Sequence, residues 1–203
     1  TFDPHPLKVL NPAAAPKLLT CNTHKLRLFE RLGLHGCVVL PFTRALAAQA
    51  PKDFVACLRD CVPPLAEVLV GSNWRFGHHG GGHSTLLARM TRDLPLRVTT
   101  LRPSTWKGVT ISSTRIRHAV ANGRLGEAEA MLGRPFSVLG TVVRGRGVGR
   151  TLGFPTANLD SNNEVLPPLG VYAVQAWIGR RLYDGLLNLG VHPTFGVAPA
   201  PTI

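Results

Sequence analysis

The spacing of apolar residues changes along the chain and predicts two kinds of structure. Between residues 20 and 133, stretches with helical spacing alternate with short apolar runs. The helical spacing predicts helices over 20–32 (closed by Gly33), 51–62, 84–92, from Ser112 or Ser113 to about Ala121, and a short one ending at Gly133. The apolar runs predict strands over 37–42, 66–70 and 96–101. Strands that alternate with helices indicate an α/β domain with a parallel sheet.

The pattern changes near Arg134 and Pro135. Residues 137–145, 170–179 and 181–189 have the alternation of strands, turn residues cluster at 145–149 and 160–170, and no helical spacing follows. This predicts an all-β module. We therefore expect an α/β domain over residues 1–133 and a β domain over residues 134–203.

Composition limits the class of protein. Hydrophobic residues make up 44% of the 203 residues, which supports a packed core and argues against disorder. No apolar run approaches the roughly 18 residues that a bilayer span requires. The four cysteines, at positions 21, 37, 57 and 61, form no CxxC pair. They favour reduced thiols in a cytoplasmic protein, with a disulfide or a metal role as the lesser alternative.

The net charge of +12 predicts a polyanionic partner. Nucleotide phosphates and nucleic acid both satisfy that requirement. Basic residues are scattered from Lys8 to Arg181 without a run of four, whereas nonspecific nucleic-acid binders usually concentrate their charge. Nucleotide phosphates are therefore the favoured partner, and a basic nucleic-acid-binding protein remains the alternative.

Three segments carry residue types suited to nucleotide chemistry. The first, Val70 to Gly77, follows an apolar strand, at the end where open α/β sheets bind ligands. Trp74 and Phe76 are suited to stacking on a flat ring, while Asn73 and Arg75 are suited to binding phosphates. An ordinary loop with both aromatic rings in the core explains this segment equally well.

The second segment runs from Ile111 to Arg117. Its serines and threonine stand at a predicted helix start, where they satisfy free N–H groups as caps. A helix start with Arg117 one turn later is also a typical anion site. Capping and anion binding both remain open from the sequence.

The third segment, residues 145–158, is the most informative. Gly145, Gly147 and Gly149 alternate with arginines, and glycines let backbone N–H groups approach an anion. Thr156 and Asn158 carry the hard oxygen atoms that a phosphate-bound Mg²⁺ accepts. The segment predicts a site for a nucleoside triphosphate and its metal ion.

Other polar residues have ordinary explanations. His78, His79 and His83 invite a metal-binding hypothesis, but the intervening glycines favour a loop. His5 lies between two prolines, and a local structural role is as plausible as ligand contact. Glu127 and Glu129 favour a solvated helix face over acid–base chemistry.

Taken together and in this order, the segments resemble bacterial bifunctional riboflavin kinase/FMN adenylyltransferases, the FAD synthetases. The resemblance spans essentially the whole chain and is most specific at Gly153 to Asn158. The other matching segments are 1–6, 70–77, 111–117, 133–136, 145–152, 170–174, 188–190 and 193–196.

The resemblance implies a fold and two activities. It implies a Rossmann-like nucleotidyltransferase domain that transfers AMP from ATP to FMN, and a Greek-key β-barrel that phosphorylates riboflavin. The expected small-molecule partners are ATP, riboflavin and FMN, with Mg²⁺ accompanying ATP, and no membrane. Oligomeric state is not implied.

The resemblance also implies residue roles. In the adenylyltransferase, Asn73, Ser113, Thr114 and Arg117 would bind ATP, and Trp74 and Phe76 the flavin. In the kinase, Gly145, Gly147, Gly149 and Thr156 would bind ATP, and Thr156 and Asn158 would ligate Mg²⁺.

The sequence departs from the family in three places. The family's Gly-x-Phe-Asp-Gly-x-His-x-Gly-His motif and its kinase glutamate find no match between residues 1 and 203. We therefore expect a fragment lacking the first strand and helix of one domain and the end of the other, with weak or no activity. After Gly77, histidines and glycines replace a basic residue and an acid, which affects the local flavin or nucleotide contacts.

Overall fold

The chain is described by a computed structural model, which covers residues 1–61, 65–144, 153, 156–191 and 201–203. The residues group into two compact units. The first contains Thr1–Pro16 and His35–Ile111, and the second contains Lys17–Leu34 and Ser112–Ile203. Among the described residues, no helix combines the length and the apolar character needed to cross a membrane.

The first unit is an α/β structure with parallel strand pairs. Strand β1 (Phe2–Asp3) pairs with β2 (Leu40–Pro41), and β3 (Glu67–Gly71) pairs with β4 (Arg97–Leu101), both in parallel. A two-residue antiparallel pair, β5 (Thr105–Trp106) and β6 (Val109–Thr110), follows. The helices are α1 (Pro6–Leu10), α3 (Arg44–Ala47), α4 (Pro51–Cys61) and α5 (Ser84–Met90). The predicted parallel α/β character is thus confirmed.

The second unit joins three helices to antiparallel strands. Its helices are α2 (Asn22–Arg31), α6 (Ser113–Ala121) and α7 (Leu125–Leu132). Strand β7 (Gly140–Val143) pairs with β8 (Asn158–Ser161), and β10 (Arg181–Val191) lies between β9 (Gly170–Ile178) and β11 (Pro201–Thr202). In the described part of the chain no helix follows Leu132, as the sequence predicts.

Buried apolar side chains fix these elements. In the second unit, α6 and α7 form the helix pair that holds the fully buried Val120 and Ala128. Helix α7 ends at Gly133, whose φ of 68° lies in the left-handed region that glycine adopts without strain. In the first unit, Leu87 of α5 is 1% exposed.

The first and last residues of the five predicted helices agree with the structure to within about two residues.

The strands differ more from their predictions. Only Leu40 and Pro41 of the predicted strand 37–42 are paired, and the described part of the predicted strand 137–145, residues 137–144, is paired only over 140–143. Strand β8 was not predicted, because its four residues, Asn158 to Ser161, follow turn residues and have little apolar alternation. Pairing across strands depends on distant residues, so a local pattern specifies strand ends poorly.

Candidate functional site

The first unit contains a pocket at the carboxyl ends of its parallel strands. The pocket has a volume of about 450 Å³. Phe2 of β1 and Phe54 of α4 line it. The other lining residues follow β1, β2 and β3: Pro6, Leu10, Phe42, Arg44, Leu46, Ala47, Ala48 and Trp74 to Gly80. Ligands in open α/β sheets bind at this end of the strands. Trp74 to Gly77 of the predicted strand-end segment therefore line this pocket.

Aromatic rings line the pocket in two contacting groups. The rings of Trp74 and Phe76 are stacked, with centroids 4.5 Å apart and an angle of 23° between planes. Phe54 packs on Phe76 at 5.6 Å, while Phe2 and Phe42 meet edge to face at 5.2 Å. Phe76 is buried and Trp74 is half-buried, so Phe76 supports Trp74 from the interior. Such flat apolar walls suit a planar aromatic ligand.

Basic side chains share the pocket with these rings. Arg44, Arg75, His78 and His79 all line it. Arg75 donates from Nη1 to the carbonyl oxygen of Trp74 at 3.3 Å, and the two imidazole rings lie 3.9 Å apart. The pocket thus combines ring-binding walls with groups that attract an anion.

The loop after β3 holds this arrangement through a short backbone bridge. The backbones of Phe76 and Gly82 exchange two hydrogen bonds, of 3.1 Å and 2.7 Å. A Cβ atom at Gly82 would lie 2.6 Å from the ring of Phe76, and one at Gly77 would lie 2.8 Å from Pro51. Glycine at both positions lets the loop close against α4 and Phe76.

Two of the singled-out histidines cap helices. His83 Nδ1 accepts from the Leu86 backbone N–H at 3.3 Å, and His5 Nδ1 accepts from that of Leu7 at 3.2 Å. Within the described residues, no group of three or more His, Cys, Asp or Glu side chains is arranged to hold a metal ion. Residues 78–83 thus supply a helix cap, His83, and a pair of contacting rings, His78 and His79.

Asn73 lies beside the pocket. It is exposed in the turn after β3 and is absent from the pocket lining. Its Oδ1 would lie 3.2 Å from a Cβ atom at Gly71, so the amide packs against the strand end. It therefore remains available to a ligand at the same end of the strands.

The second segment lies at the start of α6 in the second unit. Ser112 is the cap, because its Oγ accepts from the Arg115 backbone N–H at 3.3 Å. Ser113 and Thr114 are exposed beside it. Arg117 is half-buried and donates from Nε to the carbonyl oxygen of Lys17 at 2.7 Å. Ser112 thus caps the helix, while Ser113 and Thr114 carry exposed hydroxyl groups.

The third segment is only partly described. Gly145, Gly147 and Gly149 lie outside the described residues. Thr156 is exposed just before β8, and Asn158 begins that strand opposite Val143. Their hydroxyl and amide oxygens are the hard ligands that Mg²⁺ prefers.

Sequence reasoning missed several pocket residues. Phe2, Phe42 and Phe54 lie far apart in the sequence from Trp74 and Phe76, yet they line the same pocket. The available signal was position: Phe2 and Phe42 each lie within or just after a strand that ends at this edge. Phe54 lies on α4, where the sequence alone assigns an aromatic residue to the hydrophobic core.

Comparison with known proteins decides the family. Residues 1–115 match the model of the FAD synthetase family. The chain belongs to the FAD synthetase family. Residues 132–202 of this FAD synthetase chain match a second model, that of riboflavin kinase. The resemblance drawn from the sequence segments is thereby confirmed, as is a mixed α/β chain with these two domains.

Curated relatives agree with both matches. Proteins named bifunctional riboflavin kinase/FMN adenylyltransferase are 36% identical in Escherichia coli K12 (over 194 residues), 36% in Bacillus subtilis 168 (199 residues) and 37% in Listeria monocytogenes EGD-e (197 residues). The alignments cover 95% of this FAD synthetase chain in the first case and 96% in the others. The chain spans 62% of the length of each relative.

A solved structure shares the fold. The crystal structure of a macrolide-efflux protein from Streptococcus pneumoniae superposes with a TM-score of 0.79 at 27% identity. It covers 100% of this chain, and the match covers 66% of the other chain. The fold of the FAD synthetase chain is therefore found in an experimental structure.

Proposed function

We propose that this FAD synthetase chain serves flavin cofactor synthesis, phosphorylating riboflavin to FMN and transferring AMP from ATP to FMN to make FAD. The observation that carries the proposal is the aromatic and basic pocket at the strand ends, in a chain whose first 115 residues match FAD synthetase. The names of the curated relatives support both steps.

The pocket is assigned to FMN. Trp74 lies half-buried on Phe76, so one face of an isoalloxazine ring would stack against a wall that is already packed. Arg44, Arg75 and the imidazole pair would attract the phosphate of FMN. A pocket with both features selects FMN over riboflavin, as the adenylyl acceptor requires.

ATP is assigned to polar groups outside that pocket. For adenylyl transfer these are Asn73 at the end of β3, and Ser113, Thr114 and Arg117 at the start of α6. Ser112 already caps α6, which leaves the neighbouring hydroxyls exposed for phosphate oxygens. The carbonyl of Lys17 holds Arg117 Nε, which orients the guanidinium. Nucleotidyl transfer depends mainly on such positioning and charge neutralisation.

The kinase step is assigned to residues 145–158. Gly145, Gly147 and Gly149 would cover ATP, and Thr156 and Asn158 would ligate its Mg²⁺. The metal ion would neutralise phosphate charge when bound. The proposed domains are residues 1–133 for the adenylyltransferase and 134–203 for the kinase, whose β-strands we assign to a Greek-key barrel. We place the enzyme in the cytoplasm.

Two measurements test this function. Riboflavin, ATP and Mg²⁺ are supplied to the whole protein, since we expect weak or no turnover by the 203-residue chain itself, and FMN and then FAD are followed by chromatography. FMN binding to the 203-residue chain is followed by quenching of flavin fluorescence, which needs no turnover. We expect Trp74→Ala to weaken FMN binding by about tenfold or more, since a stacked ring contributes about 1–3 kcal/mol.

Trp106→Ala is the matched control, because Trp106 is half-buried in β5 outside the pocket. It should leave FMN affinity unchanged within about twofold. Equal losses in both variants, or no FMN binding by the unaltered chain, would contradict the assignment of this pocket.

A further inference from the structure

A second cluster of basic side chains lies in the second unit and takes no part in the proposed reactions. It surrounds His24, which is 6% exposed on α2. His24 Nε2 lies 3.1 Å from Ser137 Oγ, and Arg134 donates from Nη1 to the same oxygen at 3.2 Å. The cluster thus links α2 to the segment before β7.

Two more arginines lie on the same side of α2. Arg27 and Arg31 follow His24 by three and seven residues, a spacing that places them on one helix face. The guanidinium carbon of Arg31 lies 5.2 Å from the ring centroid of Trp177. Contact with a ring face restrains Arg31 without using its N–H donors, which lie in the guanidinium plane.

Among the described residues, the arginines of this cluster form no ion pair with an acidic side chain. The ion pairs seen in the described part of the chain, Arg59–Asp60 and Arg124–Glu127, involve none of these arginines. The charged groups that act on His24 are Arg134, Arg31 and Arg27, and all three, after burial itself, lower its pKa. Burial and the nearby Arg31 also lower the pKa of Arg134. An anion would relieve this repulsion.

His24 also carries a polar atom without a partner. Its Nδ1 is buried and makes no hydrogen bond within the described residues. Ser137 Oγ accepts from Arg134, and its own proton can be donated to His24 Nε2; in that tautomer the neutral imidazole carries its proton on Nδ1. A buried N–H donor without an acceptor costs free energy that a bound oxyanion would recover.

We propose that His24, Arg27, Arg31 and Arg134 form a binding site for a small phosphate-bearing anion, made of residues other than those assigned to flavin, ATP and Mg²⁺. Guanidinium groups bind phosphate oxygens with paired hydrogen bonds, and the imidazole N–H adds a donor from the protein side. Trp177 provides an apolar wall next to Arg31, where a planar group attached to the phosphate would contact it.

The test uses Trp177 as a local reporter. In a Trp74→Phe/Trp106→Phe background, Trp177 is the remaining tryptophan of the chain. Sodium phosphate is titrated at constant ionic strength, without nucleotide or Mg²⁺. We expect a saturable change in Trp177 fluorescence, because phosphate would redirect the Arg31 side chain next to that ring.

Single substitutions then locate the site. Arg27→Gln and Arg134→Gln should each weaken phosphate binding by about tenfold, as expected for loss of a charge-assisted contact. Arg27 is exposed, so its variant tests the site even where Arg134→Gln loosens the fold. Arg92→Gln removes the same charge from an exposed position in the first unit and should change the affinity by less than about twofold.

Three results would overturn the proposal. One is a fluorescence change that chloride reproduces or that grows linearly with phosphate. Another is an equal loss of affinity in Arg92→Gln, which would show only a general charge effect. The third is an oligothymidylate that binds far more tightly than phosphate through the same arginines, which would identify a nucleic-acid surface instead.

Discussion

His24 shows how a single residue can make stability depend on pH. Burial, followed by Arg134, Arg31 and Arg27, lowers its pKa from the ordinary 6.5. The folded state therefore resists protonation at a pH where the unfolded chain accepts a proton. Because the unfolded state then binds more protons, the free energy of unfolding falls as pH decreases below about 6.5.

We predict that the chain loses stability between about pH 7.5 and about pH 5.5, by up to about 1.4 kcal/mol per pH unit between the two pKa values. Urea unfolding at both pH values measures the loss. His24→Gln should flatten this dependence, whereas His118→Gln, at an exposed position on α6, should leave it unchanged. A pH dependence that survives in His24→Gln would assign the effect to other groups.

Predictions for single residues differed in how far the sequence could decide them. Trp74 and Phe76 line the pocket, and their role in binding a planar ring stays a prediction. The sequence left the serines of α6 open between capping and anion binding, and the structure gives the cap to Ser112. Which of two adjacent serines caps a helix depends on the backbone angles at its first turn, which residue order does not specify.

At the scale of elements, the loop after β3 determines the shape of the pocket. The loop closes with the ring of Phe76 in the space that a side chain at position 82 would need. A Cβ atom at position 82 would lie 2.6 Å from that ring. Phe76 also supports the ring of Trp74. The backbone bridge between Phe76 and Gly82 therefore connects the glycine at position 82 to the aromatic wall of the pocket.

We predict that Gly82→Ala destabilises the fold by about 1–3 kcal/mol, because the added methyl group forces Phe76 to move. It should also weaken FMN binding. Gly126→Ala is the matched control: its Cβ would meet nothing within 4 Å on α7, so it should stabilise by up to about 1 kcal/mol. Thermal or urea unfolding measures both changes, and a Gly82→Ala variant as stable as the original chain would refute the packing argument.

Helices were predicted more accurately than strands. The starts and ends of α4, α5 and α6 follow from proline, capping residues and a local apolar period. Strand β8 and the short β2 depend on partners at least 15 residues away in the sequence, which local alternation does not reveal. Hydrogen bonds within a helix are local, whereas those of a sheet are made across the chain.

At the scale of the whole molecule, the two proposed activities rest on different parts of the chain. The family models match two separate parts of the chain, FAD synthetase over 1–115 and riboflavin kinase over 132–202. The pocket that we assign to flavin is lined by residues of the first part, and Thr156 and Asn158 lie in the second.

We predict that substitutions in one part spare the other activity. In the whole protein, Thr156→Val and Asn158→Leu should each lower conversion of riboflavin to FMN by about tenfold or more, because each removes an oxygen atom that we assign to Mg²⁺. Adenylylation of supplied FMN should stay within about twofold. Trp74→Ala should show the reverse pattern. Chromatography with riboflavin or FMN as the starting substrate separates the steps, and parallel loss of both in either variant would contradict the assignment.

The sequence by itself determined the five longer helices, the absence of helices after Leu132 in the described residues, and the family. Each depends on local spacing or on a motif that is contiguous in the chain, so neighbouring residues suffice. Only the tertiary structure brought Phe2, Phe42 and Phe54 to the same pocket as Trp74, and brought Arg134 and Ser137 to His24. Those arrangements depend on packing between distant segments, where burial and charge act through space rather than along the chain.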